Sequence, residues 1–173
     1  MRPITNKINA VGTLKDYLLE TGMKISVCET FTGGMFSQLI SDVDRPSEIL
    51  IQSFIGFSKK FKIETMQVNK NLIRRFGQHS KECGKEIATN IKEWTKADVS
   101  VCFIGDPMIE IDRNDINRFY KKSTPHKTCY SVIIFPDNKW DFCEINLGQN
   151  YRTLKDIREY AIEITADRIY QYL

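Results

Sequence analysis

The sequence predicts an α/β fold, a three-layer α/β/α sandwich around a mixed sheet of about five strands, built as one domain over residues 1–173. Three observations predict it. Segments with helical apolar spacing alternate with short runs rich in β-branched and aromatic residues, the order that stacks helices on both faces of a sheet. Two late strand-like runs flank a proline-led turn and so pair as an antiparallel hairpin, which makes the sheet mixed. At 173 residues the chain suits one domain that buries roughly two thirds of its unfolded surface without metals or disulfides.

Ile8, Val11, Leu14 and Leu18 recur at helical spacing, and Gly22 ends that first helix after about Thr21. Ile25 and Val27 mark a first strand, and a glycine turn then leads to a helix carrying Phe36, Leu39 and Ile40 that ends before Asp44-Arg45-Pro46. The apolar run "ILIQSFIGF", residues 49–57, reads as a second, buried strand, followed by a polar stretch starting at "SKKFK". Asn69 caps a short helix with Leu72, Ile73 and Phe76 that closes at Gly77, and Ser80 caps a longer one with Cys83, Ile87, Ile91 and Trp94 on one face. Val99–Ile104 is a third strand. The polar segment from Met108 to Lys127 is too long for a plain connection and is either functional or ordered by a short helix near Ile116–Tyr120. Strands over Cys129–Phe135 and Trp140–Asn146 flank "PDNK", and Leu154, Ile157, Ala161, Ile164 and Arg168 follow the spacing of a last helix.

Lys and Arg number 25 against 22 Asp and Glu, a net charge of +3 that argues against nucleic acid or a membrane surface as partner. The longest apolar runs are strand-sized, far short of the roughly 20 residues of a membrane span. The N-terminus lacks the apolar stretch of a secretory signal, so the expected location is cytoplasmic. Five widely spaced cysteines without a CxxC pair, and two histidines, His79 and His126, call for no metal and no cofactor.

"SVCETFTGGMFSQLI", residues 26–40, places strand, turn and helix in the order that forms a concave site lined by backbone N–H groups, suited to an anion or a reacting carbonyl oxygen. Gly33 and Gly34 also have a plain reading as a turn that lets the chain pack closely. Thr30 and Thr32 can cap the following helix, and Glu29 can bind a ribose or an ammonium group or face solvent.

The order of elements, together with "CETFTGG", resembles the C-terminal domain of the competence/damage-inducible CinA family, whose active members are nicotinamide-nucleotide amidohydrolases. The family reads approximately A-E-S-C-T-G-G after its first strand. Glu29, Thr32, Gly33 and Gly34 match, Thr30 stands at the candidate nucleophilic serine, and Phe31 replaces the cysteine. A second block, A-Y-S-N-x-x-K, corresponds to "GFSKKFK": Ser58 and Lys62 match, Phe57 replaces the tyrosine and Lys59 the asparagine. "FGQHSKE" looks like the family's G-A-V-S-E-E, and "KADVSVCFIGDP" looks like its A-D-V-G-L-A-V-T-G-I-A-G-P, with Ile104 at the threonine and a shortened loop through Gly105, Asp106 and Pro107.

The resemblance implies a CinA C-terminal-domain-like fold and a pocket with Thr30 as nucleophile and Lys62 as its base, lined by Glu29, Thr32, Gly33, Gly34, Phe57 and Gly105. Hydroxyl-mediated amide hydrolysis needs a nucleophile, a proton acceptor and oxyanion donors. Thr30 is a crowded hydroxyl, and Phe57 can neither donate nor transfer a proton. Compensation from Cys28, His79 or Asp106 competes with plainer roles, a buried thiol above all for Cys28.

Three functions therefore stay open. The first is a diverged domain that binds a nucleotide-like or small anionic ligand with hydrolysis weak or lost. The second is an active amidohydrolase using Thr30 and Lys62. The third is a protein or RNA interaction module that keeps a vestigial pocket and uses the 108–127 segment. Whether the chain forms a homo-oligomer stays open with them. On the first two readings Thr30, Lys62 and Gly105 converge at the ends of the first three strands.

Overall fold

The computed structural model describes residues 9–107, 128–146 and 153–173. Ile8, the 108–127 segment and the helix expected near 116–120 lie outside those residues. Five strands, β1 (Ile25–Glu29), β2 (Leu50–Ile55), β3 (Val99–Ile104), β4 (Thr128–Ile134) and β5 (Trp140–Asn146), form one sheet in the order β2-β1-β3-β4-β5. β1 pairs in parallel with both β2 and β3, whereas β3–β4 and β4–β5 are antiparallel. The sheet is mixed, as the hairpin predicts, and Asn138 takes a left-handed φ of 62° in its turn.

Among the described residues five α-helices cover the sheet: α1 (Asn9–Thr21), α2 (Met35–Ser41), α3 (Lys70–Phe76), α4 (Lys81–Thr95) and α5 (Leu154–Tyr172). Alternation along the strands divides the core in two. Ile25, Val27, Val101 and Phe103 point to the layer of α1, α2 and α5, where they meet Leu14, Phe36 and Ile162. Cys28, Cys102 and Ile104 point to the layer of α3 and α4, where they meet Ile73, Ile87 and Ile91. β1 and β3 are buried along their whole length, as parallel strands between two helical layers must be.

The expected caps form: the Asn69 side chain accepts from the Asn71 N–H and Ser80 from the Cys83 N–H. α5 adds a reciprocal capping box, Thr153 with Asp156. Trp94, expected on the buried face of α4, is 42% exposed and meets Phe54 edge-on.

The second strand departs from its expected burial. β2 pairs only with β1 and lies at the sheet's edge, leaving Ile51 and Ile55 exposed. An apolar run reports strand propensity but not how many neighbours the strand will have. The polar stretch after it is also more ordered than expected. Phe61–Thr65 forms one wide helical turn, in which Met66 N–H donates to the Phe61 carbonyl and Val68 N–H to that of Lys62. Among the described residues no helix is long and apolar enough to cross a membrane.

The strand order places a switch point between β1 and β3. The chain leaves β1 through α2 toward one edge and reaches β3 through α3 and α4 on the other face, the arrangement in which open α/β sheets take ligands beyond the carboxyl ends of the strands. Gly84 sets the seating of α4 on the sheet, because a Cβ there would lie 2.8 Å from an Ile104 methyl and 2.9 Å from a Val132 methyl. Gly84→Ala gains about 1 kcal/mol of helix propensity but overpacks at about 1–3 kcal/mol, so a net loss of up to roughly 2 kcal/mol is expected in urea unfolding. A more stable variant would contradict this seating.

Candidate functional site

The turn from Glu29 to Met35 begins at the switch point. Its geometry is governed by Glu29, which is fully buried. The carboxylate accepts from the amides of Gly34 (3.0 Å), Phe36 (3.3 Å) and Ser37 (2.8 Å) and from the Ser37 hydroxyl (2.5 Å). The chain's own anion thus holds the amino end of α2, with each charge-assisted bond stronger than a neutral one. Gly33 N–H donates to the Thr30 carbonyl and Met35 N–H to that of Thr32. Every amide from Gly33 to Ser37 is therefore already used within the chain. Glu29 serves this cap rather than facing solvent. Gly33 and Gly34 are required by backbone geometry, with φ of 63° and 95°.

Thr30 is buried just past the carboxyl end of β1. Its hydroxyl donates to the carbonyls of Phe103 (3.0 Å) and Gly105 (3.3 Å), so Thr30 and Gly105 meet as expected. Gly105 admits no side chain, since a Cβ would lie 2.3 Å from the Cys129 sulfur. Thr32 is buried beside it with a hydroxyl oxygen that has no hydrogen-bond partner.

Lys62 is fully buried in the helical turn after β2, on the α4 side of the sheet. Its Nζ has no hydrogen-bond partner, which means that it is not bonded to the Thr30 hydroxyl. Burial pushes its ammonium below the usual lysine range, against the smaller opposing influence of Cys83, Cys102, Cys28 and Asp106. Burial also raises the thiols, Cys83 to about 12 and Cys102 well above the ordinary value, so both are protonated and inert at neutral pH. Cys28 is likewise fully buried. Phe57, at 61% exposure, projects into solvent past the end of β2. His79 lines a groove with Phe76, Lys81 and Tyr130. Among the described residues no cluster of His, Cys, Asp or Glu is suited to a metal.

One residue at this turn escapes sequence reasoning. Arg158 of α5 donates from Nε to the Phe31 carbonyl at 2.6 Å, across 127 residues of sequence. Nothing near it in the chain sets it apart from other helix-surface cations, and the contact exists only once α5 has packed against α1, β4 and β5.

The fold defines an α/β/α domain whose mixed sheet has a switch point between β1 and β3. The CinA C-terminal domain family model matches residues 8–106, more than half of the chain, and the chain belongs to that family. A Bacillus subtilis (strain 168) protein described as competence-damage inducible is 34% identical over 86 residues, which are 50% of this chain and 21% of that protein. A CinA-like protein of Thermotoga neapolitana is 31% identical over 88 residues, 51% of this chain and 22% of that one. The match thus spans only about a fifth of these relatives. Two solved structures share the fold at a TM-score of 0.80 and 17% identity. A competence or damage-inducible protein from Enterobacter asburiae aligns over 96% of this chain and 97% of its own, and a CinA superfamily protein from Escherichia coli over 100% and 94%.

A buried amine without a partner is a stability liability. Between its lowered folded value and the ordinary 10.5, the unfolded chain holds the Lys62 proton and the folded chain does not, so this residue's contribution to stability improves as pH rises through that window. Lys62→Met is expected to be more stable than the wild type at neutral pH, with an advantage that shrinks toward pH 10.5 when urea unfolding is followed across pH. A gap that does not change with pH would contradict the burial of a neutral amine.

Proposed function

We propose that this CinA-family domain binds a nucleotide-like or small anionic ligand at the carboxyl ends of β1 and β3, with amide hydrolysis weak or lost. The observation that carries the reading is the hydroxyl of Thr30. Its proton is directed into the Phe103 and Gly105 carbonyls, and Lys62 Nζ makes no hydrogen bond to it. A nucleophile needs its base within hydrogen-bond reach when attack begins. The phenyl ring of Phe57 offers no group for proton transfer, and loss of one positioned acid–base group removes on the order of a hundred- to thousand-fold in rate.

Retention of a binding role is supported by Lys62. A methionine there would serve packing at lower cost, and a buried amine without a hydrogen-bond partner is more typical of a site than of a core. The same residue supports a second reading, hydrolysis through Thr30, because a lysine with a depressed pKa is the form that can accept a proton.

Purified domain incubated with nicotinamide mononucleotide separates the two. Ammonia release is expected at or near the uncatalysed background. Turnover that disappears in both Thr30→Ala and Lys62→Met would overturn the binding reading and establish the enzyme.

A further inference from the structure

We infer that the surface where β5 runs beside the start of α4 binds single-stranded nucleic acid, with bases stacked on Trp140 and Phe142 and phosphates paired with Lys81 and Lys85. The inference is independent of the ligand reading at the ends of β1 and β3 and lies at the opposite edge of the sheet from β2.

Strand alternation builds this surface. Cys143 and Ile145 turn toward the α5 layer, so Trp140, Phe142 and Glu144 turn to the α4 side. α4 packs on β1, β3 and β4, and its lysines reach out over the rings of β5. Lys81 Nζ lies 4.2 Å from the centroid of the Phe142 ring and Lys85 Nζ 4.4 Å from that of Trp140. The two rings are nearly parallel, 25° apart with centroids at 5.9 Å, and Tyr130 of β4 meets Phe142 edge-on at 6.2 Å. A groove of about 410 Å³ continues from Tyr130 and Lys81 to Phe76, over which the Arg75 guanidinium lies at 5.0 Å. Aromatic rings and cations thus alternate along one continuous surface. Among the described residues neither Lys81 nor Lys85 has an ion-pair partner, so their charge is available to an incoming anion. Glu82 and Glu144 lie at the Tyr130 end, which leaves the Trp140 end the more positive.

The pairing of rings with unpartnered ammonium groups selects the partner. An apolar protein surface would bury two charges without compensation, and an acidic peptide would pair with the lysines but leave the rings unused. A nucleotide carries both a planar base and a phosphate. A base placed on either ring displaces an ammonium group from its face, an exchange that favours the base because stacking is the stronger contact, and the displaced lysine then meets the adjoining phosphate. Base faces are open only in a single strand, since a duplex stacks them on one another. The net charge of +3 argues against a polyanion over the whole surface, whereas this charge is local.

Fluorescence anisotropy with labelled oligouridylate and oligothymidylate, each about ten nucleotides long, tests the assignment, with a DNA duplex and polyglutamate as competitors. Wild type is expected to bind the single strands at low salt, and binding is expected to quench its tryptophan emission. Trp140→Leu should weaken binding roughly ten-fold, abolish most of the quenching and leave the salt dependence unchanged. Lys81→Gln combined with Lys85→Gln should weaken it by about the same factor and flatten the salt dependence by about two phosphates. Either variant carries the test if the other does not fold. Tighter binding of the uridylate assigns RNA, and tighter binding of the thymidylate assigns DNA. Full affinity in Trp140→Leu, or displacement of the strands by duplex or polyglutamate at equal charge, would reduce the surface to a plain cation patch and overturn the inference. Failure of wild type to bind either oligonucleotide would also overturn it, and neither result bears on the ligand reading.

Discussion

The carboxylate of Glu29 is the constraint around which the ligand end of this domain is organised. It sits at the last position of a strand buried on both sides, where an unpaired charge would be severely destabilising. Three backbone amides and the Ser37 hydroxyl offset that penalty, and they can reach it only if the chain reverses through two glycines with positive φ. The turn, the entry angle of α2 and the placing of Thr30 follow from one buried side chain. So does the loss of the amides as an anion site, since a helix start that binds its own glutamate has little left for a ligand.

Lys62 presents the opposite case. It is buried without a hydrogen-bond partner, and the groups that act on it most strongly are the thiols of Cys83, Cys102 and Cys28, with the Asp106 carboxylate a smaller influence. Structural economy would place a methionine there. A buried amine whose ionisation burial disfavours, beside the carboxyl ends of the central strands, is a chemical resource retained at the expense of stability, a trade that marks functional sites. In this chain the resource and the hydroxyl it would serve are not bonded to each other. Thr30 has turned its proton toward β3, and the strand ends keep the parts of a hydrolase without their hydrogen-bonded arrangement.

Much of this was legible in the sequence because much of it is local. Helix periodicity, the Asn69 and Ser80 caps and the proline-led hairpin each depend on a few adjacent residues, and the helices, caps and hairpin form as read, with Trp94 exposed at the end of the face it was assigned to. Burial of β2 was not legible, because neighbour number is a property of the sheet. The glycine turn was recognisable as a turn, but the role of Glu29 was not, since a carboxylate before two glycines can serve a ligand as well as its own helix. Arg158 lay out of reach for a simpler reason, the 127 residues that separate it from the carbonyl it holds. The family resemblance carried the reading furthest where motif letters survive and least where Thr30, Phe57 and Ile104 replace them.

A crystal structure of the domain soaked with nicotinamide mononucleotide tests the central claim most directly, because it reports the anion and the reacting geometry together. The account predicts the mononucleotide bound at the carboxyl ends of β1 and β3, Glu29 still bonded to the amides of α2, and the Thr30 hydroxyl still donating to the Phe103 carbonyl. A nicotinamide carbonyl carbon in contact with the Thr30 hydroxyl oxygen, with Lys62 Nζ hydrogen-bonded to that oxygen, would contradict it.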